Sequence, residues 1–383
     1  MATPERKPDV AIVGASAAGT FAGLLLARQG HRVRIFERSE ELAHQPRTLI
    51  VTSRFRDYLG TLGDSSILNE IHTFELFGGG RSTTTHLVKP DLIIERSTLI
   101  RGLAKEAVNE GAEIVYGHRF VGLEPKGDSI ELSFEKGTGR QATKAEASIV
   151  IGADGSNSRV ASASGLRTQP TSPLLQAIVR LPRDVPSTVS RVWFRPQDTK
   201  YFYWLVPESP EIGALGIIGE DQKAIRHRLD GFLGELSLTA LEYQAAMIPI
   251  YKKWLPASAS VGNGRVYLVG DAAGHVKVST VGGIVTGFRG VLGVVESVLT
   301  NRAGPEFRSL KRELDAHAWV RWVLNRFSAD RYASLLDLTG DSLSGALSLY
   351  TRDEALKILW NCLRNEPRVA SLVLRSILSG VRS

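Results

Sequence analysis

Gly14-Ala15-Ser16-Ala17-Ala18-Gly19 is the stretch on which the fold turns. Asp9 to Val13 before it is apolar and β-like, Ala17 to Gln29 after it has helical spacing, and Arg32 to Phe36 is β-like again. That order predicts a strand, a tight turn, a helix and a return strand. Gly30 stands where a helix C-cap belongs, and His31 begins the return strand. The small residues divide the work. Gly14 permits the turn, Ser16 lets backbone N–H groups approach a pyrophosphate, and Gly19 allows the helix to pack closely on the strand. Ala17 and Ala18 open the helix, whose N-terminus favours an anion. Glu37 ends the second strand some 20 residues on, where it can accept hydrogen bonds from ribose hydroxyls. The turn alone is compatible with an ordinary βα connection; with Glu37 it reads as a dinucleotide site.

Two later strands also end in an aspartate. Ile149-Val-Ile151 runs into Gly152-Ala-Asp154-Gly155, and Val266 to Val269 runs into Gly270-Asp271-Ala-Ala-Gly274, with Gly282, Gly283 and Gly287 following. Either motif alone could be a plain turn. An aspartate beside a helix start can instead accept a sugar-alcohol hydroxyl, while the helix amides face an electron-poor ring.

Composition narrows the classes. The chain has 383 residues, 43% hydrophobic and 23% charged, which is globular and long enough for two domains. Its net charge of +7 is spread along the chain, without the basic stripe of a nucleic-acid face, so no nucleic-acid partner is expected. One cysteine, Cys362, excludes an internal disulfide and a multi-cysteine metal site, so no metal is expected. Met1 to Pro8 is short and charged, unlike a signal peptide, and no apolar run is long enough for a membrane span. A cytoplasmic location follows as the expectation, with peripheral membrane contact left open.

The ordered set of Gly14-x-Ser-x-x-Gly19 with Glu37, Glu95-Arg96-Ser-Thr-Leu99, Asp154-Gly155 and Gly270-Asp271 resembles the FAD-binding set of the aromatic-hydroxylase and geranylgeranyl-reductase superfamily, across almost the whole chain. Gly270 to Gly274, Val276-Lys277, Gly282-Gly283 and Trp204-Leu-Val-Pro207 are similar to the geranylgeranyl-reductase branch. The resemblance implies FAD as cofactor. It implies ribose contacts from Glu37 with Arg38 beside it, and Arg47 and Arg96 near the pyrophosphate and ribityl chain. Asp154 would lie on the adenosine side, Asp271 on the ribityl or pyrophosphate, and the amides of Gly282, Gly283 and Ile284 against the flavin pyrimidine. Two stretches depart from the pattern. Pro46 to Thr52 lacks the cysteine-glycine pair of the reductases, and Lys277-Val278-Ser279-Thr280 stands where the hydroxylases have a proline pair.

The expected fold is α/β: a dinucleotide-binding (Rossmann-like) FAD domain of residues 1–72, 91–172 and 255–304, an antiparallel β-sheet substrate domain of 73–90 and 173–254, and a helical C-terminal region of 305–383. Residues 119–150 read as antiparallel hairpins. His275 and Lys277, beside the flavin motif, are the candidates for proton or substrate handling. Tyr203 and Trp204 lie in an aromatic stretch suited to an apolar ligand. His317, Trp319 and Trp322 read as core or cavity wall, and Cys362 as core. Two activities fit: hydride delivery from reduced flavin to a carbon–carbon double bond of an apolar, prenylated compound, or monooxygenation of an apolar aromatic or prenylated one. NAD(P)H is expected to visit transiently as electron donor, since no second dinucleotide fingerprint is present. The oligomeric state is not readable.

Overall fold

Apolar strands that are buried on both faces read as unbroken aliphatic runs, and four such runs stand side by side in one sheet. In a computed structural model, residues 10–42, 45–137 and 139–379 are described; Met1 to Pro8, Asp9 and Thr138 lie outside them. The chain begins with β1 (Val10–Val13), α1 (Ala17–Arg28), β2 (Val33–Phe36), β3 (Thr48–Val51), α2 (Phe55–Leu59), β4 (Ile67–Gly78) and β5 (Arg81–Glu95). It continues through α3 (Arg96–Asn109), β6 (Glu113–Val115), β7 (His118–Lys126), β8 (Ser129–Lys136), β9 (Gln141–Ala147), β10 (Ile149–Gly152) and α4 (Arg159–Ala163). A second stretch comprises β11 (Thr171–Arg180), β12 (Val189–Phe194), β13 (Tyr203–Pro207), β14 (Ile212–Ile218), α5 (Gln222–Glu235), β15 (Ala240–Pro249), β16 (Ser258–Val261) and β17 (Gly264–Leu268). Helices close the chain: α6 (Ile284–Thr300), α7 (Pro305–Leu324), α8 (Ala329–Leu347), α9 (Ala355–Asn365) and α10 (Arg368–Ser379).

The six-stranded sheet has the order β16-β17-β10-β1-β2-β6. β1 pairs parallel with β2 and β10, and β10 parallel with β17. Glu37, Asp154 and Asp271 therefore follow three strands of one parallel sheet, at its carboxyl edge, where ligands of open α/β sheets bind. α1, α3 and α6 cover one face, with Leu24, Leu26, Leu103 and Phe288 buried there. The antiparallel sheet β7-β8-β9 covers the other with Phe120, Leu132 and Phe134, and the expected hairpins at 119–150 are these strands.

The eight-stranded sheet has the order β15-β11-β14-β13-β12-β4-β5-β3, antiparallel apart from β12 against β4. Thr48–Val51 pairs with Leu92–Glu95, so the expected lines at 72/73 and 90/91 cut through β4 and β5. Alternation along β13 and β14 gives this sheet two apolar faces. α5 packs Leu229, Phe232 and Leu233 on one of them. The other faces α7 to α10 across a cavity.

Candidate functional site

A cavity of about 830 Å³ runs from the carboxyl edge of the parallel sheet into the space between the large sheet and the C-terminal helices. Gly14, Ser16, Ala17, Ala18, Glu37, Arg38, Arg47, Arg96, Asp154, Asp271, Gly282, Gly283, Ile284, Lys277 and Trp204 all line it. Gly19, His275 and Tyr203 do not.

The polar arm is built by the first βα turn. Gly14 has φ +100°, and a Cβ there would meet the Ala153 carbonyl oxygen at 2.6 Å. A Cβ on Gly19 would lie 2.1 Å from the Gly14 oxygen, so Gly19 is needed for packing behind the cavity wall. Ser16 caps α1, its Oγ accepting from the Gly19 N–H at 3.2 Å. Ala17 and Ala18 bring to the cavity first-turn amides for which helix geometry supplies no intrahelical partner. The Glu37 carboxylate accepts from the Ala15 N–H at 2.9 Å and the Ser39 N–H at 3.0 Å, which fixes it beside the turn. Asp154 has local partners: Ser158 Oγ at 2.6 Å and the N–H groups of Arg159 and Val160 at 2.7 and 3.1 Å.

Arg47 and Arg96 come together from the start of β3 and of α3, held by the Arg96 N–H donating to the Arg47 carbonyl at 3.0 Å. Burial and the neighbouring Arg96 charge bring the Arg47 guanidinium down to about 10, while Asp271 pulls the other way. Burial likewise lowers Arg96 and raises Asp271. Arg47 Nε and Thr280 Oγ1 are buried without a hydrogen-bond partner. Two guanidiniums in the field of one carboxylate, with orphaned donors and helix amides beside them, fit an elongated anion such as a pyrophosphate. At the far side α6 starts at Gly283 with no side-chain cap, leaving its first amides for a ligand. Val281 before it has φ +55°, an unusual conformation for a β-branched residue and a mark of strain at the site.

His275 is displaced from its expected role. The 3-10 turn Gly270–Ala273 closes on Gly274 at φ +71°, which sends His275 behind the loop. Its ring stacks on Trp254, with centroids 5.4 Å apart, and presses on Gly290 of α6. Burial lowers its pKa to about 4, and His317, also buried, to about 3. Both are neutral when folded and protonate near 6.5 when unfolded, so the unfolded chain binds more protons below that value. Stability held by each is complete above about pH 6.5 and falls towards the folded pKa, by about 2 kcal/mol each at about pH 5. Thermal melts between these values should show the loss, and His275→Phe should remove its share; an unchanged slope would refute the assignment.

Tyr203 is corrected for a simpler reason: neighbours on a strand point oppositely. Tyr203 packs on Phe232 of α5, with ring centroids 4.5 Å apart, and its hydroxyl donates to Asp198 at 3.2 Å. Trp204 turns into the cavity beside Val192, Phe194, Phe202 and Val206. Trp319 and His317 line it from α7, and Cys362 from α9. Trp322 is exposed, with the Arg326 guanidinium 3.6 Å above its ring, so it is neither core nor cavity wall.

Lys277 lines the cavity and is ion-paired with Asp353, which no local pattern singles out. Asp353, fully buried, also accepts from Thr52 Oγ1 at 2.5 Å, and its backbone oxygen meets His317 Nε2 at 3.2 Å. Next to it Arg352 reaches Asp91 of β5, Nε to carboxylate, at 2.6 Å. Buried charges thus tie the segment between α8 and α9 to β5, through Asp91, and to the loop ahead of α6, through Lys277.

A family model described as FAD binding domain matches residues 7–295. The chain belongs to this FAD-binding family. This flavoprotein is 24% identical over 378 residues to the digeranylgeranylglycerophospholipid reductase of Methanocaldococcus jannaschii, covering 88% of this chain and 92% of that one. Among solved structures it is similar to a geranylgeranyl bacteriochlorophyll reductase-like protein from Thermoplasma acidophilum, with a TM-score of 0.81, 18% identity, and coverage of 97% and 99% of the two chains. It also resembles p-nitrophenol 4-monooxygenase from Pseudomonas putida, at a TM-score of 0.69, 14% identity, and coverage of 94% and 98%. FAD is the cofactor, and the flavoprotein is an FAD-dependent oxidoreductase. No helix among the described residues is long and apolar enough to cross a membrane.

Proposed function

We propose that the chain is a reductase that saturates a carbon–carbon double bond in a prenylated substrate. One observation carries this reading: the polar arm of the cavity continues into an apolar arm walled by Trp204, Phe194, Ile248, Val320, Leu343 and Leu359. Its charged lining residues, Lys277 and Arg352, are each paired with a buried carboxylate, Asp353 and Asp91. A wall neutralised in this way suits a hydrocarbon chain better than an ionised aromatic acid. The reductases among its relatives support the same choice.

In this proposal Gly14, Ser16, Ala17, Ala18, Glu37, Arg38 and Asp154 hold the adenosine half of FAD. Arg47, Arg96 and Asp271 hold the pyrophosphate and ribityl chain, and the amides of Gly282, Gly283 and Ile284 hold the pyrimidine edge. When bound and reduced, FAD supplies hydride; NAD(P)H, visiting transiently in the cytoplasm, is the donor we propose. Trp204 orients the chain, and Lys277 Nζ, ion-paired with Asp353, delivers the proton to the second carbon. Monooxygenation is the second reading, because Pro46–Thr52, which contributes Arg47 to Thr52 to the cavity wall, has no cysteine-glycine pair.

The test is anaerobic incubation of the reduced holoenzyme with geranylgeranyl lipids, followed by mass spectrometry. Gain of hydrogen without oxygen supports the reductase. Product that forms only in air, heavier by an oxygen atom, supports the second reading and overturns the first. Trp204→Ala should raise KM for a prenylated chain by about tenfold or more, the scale of one buried aromatic, with FAD occupancy intact. Tyr203→Phe should leave KM unmoved.

A further inference from the structure

α9 and α10 carry apolar side chains on the cavity side and also on the outer side. Ala355, Ile358, Leu359 and Cys362 of α9, and Val369 and Val373 of α10, line the cavity. On the outer side Trp360 is 70% exposed, Leu374 57% and Leu356 53%, with Leu349, in the turn after α8, at 63%. Leu356 and Trp360 are one turn apart and present a single stripe. Single exposed apolar side chains are ordinary on protein surfaces, but a large aromatic and three leucines, each more than half exposed, between Leu349 and Leu374 are not. Only one layer of helix separates this outer face from the cavity.

The charges on the two helices are mostly basic. From Ala355 to Ser379 the chain carries Lys357, Arg364, Arg368 and Arg375 against a single acid, Glu366. Lys357 is paired with Glu354 and Arg368 with Glu366, whereas Arg364 and Arg375 have no carboxylate partner among the described residues. A helix with Trp and Leu on one side and Arg at its margins has the composition of an interfacial helix on an anionic bilayer. A two-fold dimer through the same face would bring these arginines towards their own copies, which disfavours a second chain as the occupant.

We propose that the outer face of α9 and α10, centred on Trp360, docks on an anionic lipid surface and sets the apolar arm of the cavity against the bilayer. The inference rests on the reading of the substrate as a hydrocarbon-chain lipid. Trp360 and Leu356 lie outside the cavity lining, so the docking face and the reaction site can be altered separately.

The experiment is co-sedimentation of the FAD-loaded protein with vesicles of phosphatidylcholine containing about one-third phosphatidylglycerol, compared with phosphatidylcholine alone and with added salt. Preference for the anionic vesicles, weakened by salt, is expected. Leu356→Glu with Trp360→Glu should lower partitioning by about tenfold or more, with flavin absorbance unchanged. Arg364→Glu with Arg375→Glu should remove the anionic preference. Absence of vesicle binding, or binding unaffected by the Trp360 and Leu356 changes, overturns the proposal. So does a lipid-free dimer that Trp360→Glu dissociates. Vesicle binding without turnover of any prenylated chain would defeat the substrate reading and leave this surface assigned; turnover of detergent-dispersed substrate without vesicle binding would do the reverse.

Discussion

A Gly14→Val protein is expected to purify without FAD, its affinity weakened by about 100-fold or more. Two penalties act together. A residue with a Cβ at φ +100° gives up roughly 1–2 kcal/mol of backbone energy. The Cβ would also stand 2.6 Å from the Ala153 oxygen, and Ala153 cannot withdraw, because its N–H donates to the Val13 carbonyl at 2.8 Å within the parallel sheet. The turn must shift instead, and with it the amides of Ala17 and Ala18. Gly30→Ala separates the two effects: Gly30 has φ +80°, but no atom stands within 4 Å of the added Cβ, and it lies away from the cavity. That variant should lose about 1 kcal/mol of stability and keep its flavin. Flavin absorbance per chain, with a fluorescence titration of the apoprotein, reads both. Full occupancy in Gly14→Val would show that the turn does not carry the pyrophosphate.

The contrast between Gly14 and His275 shows what kind of information a linear pattern holds. The first βα turn is encoded locally: strand, glycine, helix cap and the acid at Glu37 fall within about 25 residues, and steric rules leave few alternatives. Asp154 and Asp271 were legible for the same reason, as acids ending apolar strands. His275 stood next to these signals in sequence, but a left-handed Gly274 turned it into the core, and adjacency in the chain did not become adjacency in space. Tyr203 and Trp204 were legible as a strand, but which of them faces the cavity depends on where α5 packs. The pairing of Thr48–Val51 with Leu92–Glu95 was equally hidden, since short aliphatic strands carry no partner label. Least visible were the buried charges. Asp353 lies 76 residues from Lys277, and Arg352 lies 261 from Asp91, distances at which only the folded chain decides who meets whom.

That buried pair yields the second large expectation. Asp353→Ala should destabilise the protein by about 3–5 kcal/mol, because it leaves the Lys277 ammonium enclosed without its counter-charge. Lys277→Met should cost a comparable amount by stranding Asp353, whereas the double variant, Lys277→Met with Asp353→Leu, should recover most of the loss, since an apolar pair of similar size needs no desolvation. Acid should act in the same direction as Asp353→Ala. Burial alone would raise the Asp353 carboxyl, yet the Lys277 charge and the donors of Lys277 and Thr52 hold it at about 2. With the folded value below the unfolded one, this contribution is complete above about pH 4 and is lost as pH falls towards about 2, by about 2 kcal/mol in all. The double variant should lack that share of the acid transition. Urea unfolding of the unaltered protein, Asp353→Leu, Lys277→Met and the double variant at neutral and acid pH completes the cycle. A coupling near zero would mean that water reaches Lys277 in the folded state, and the proton that the proposed reaction needs would then have to come from solvent, with no part for Asp353 in holding it.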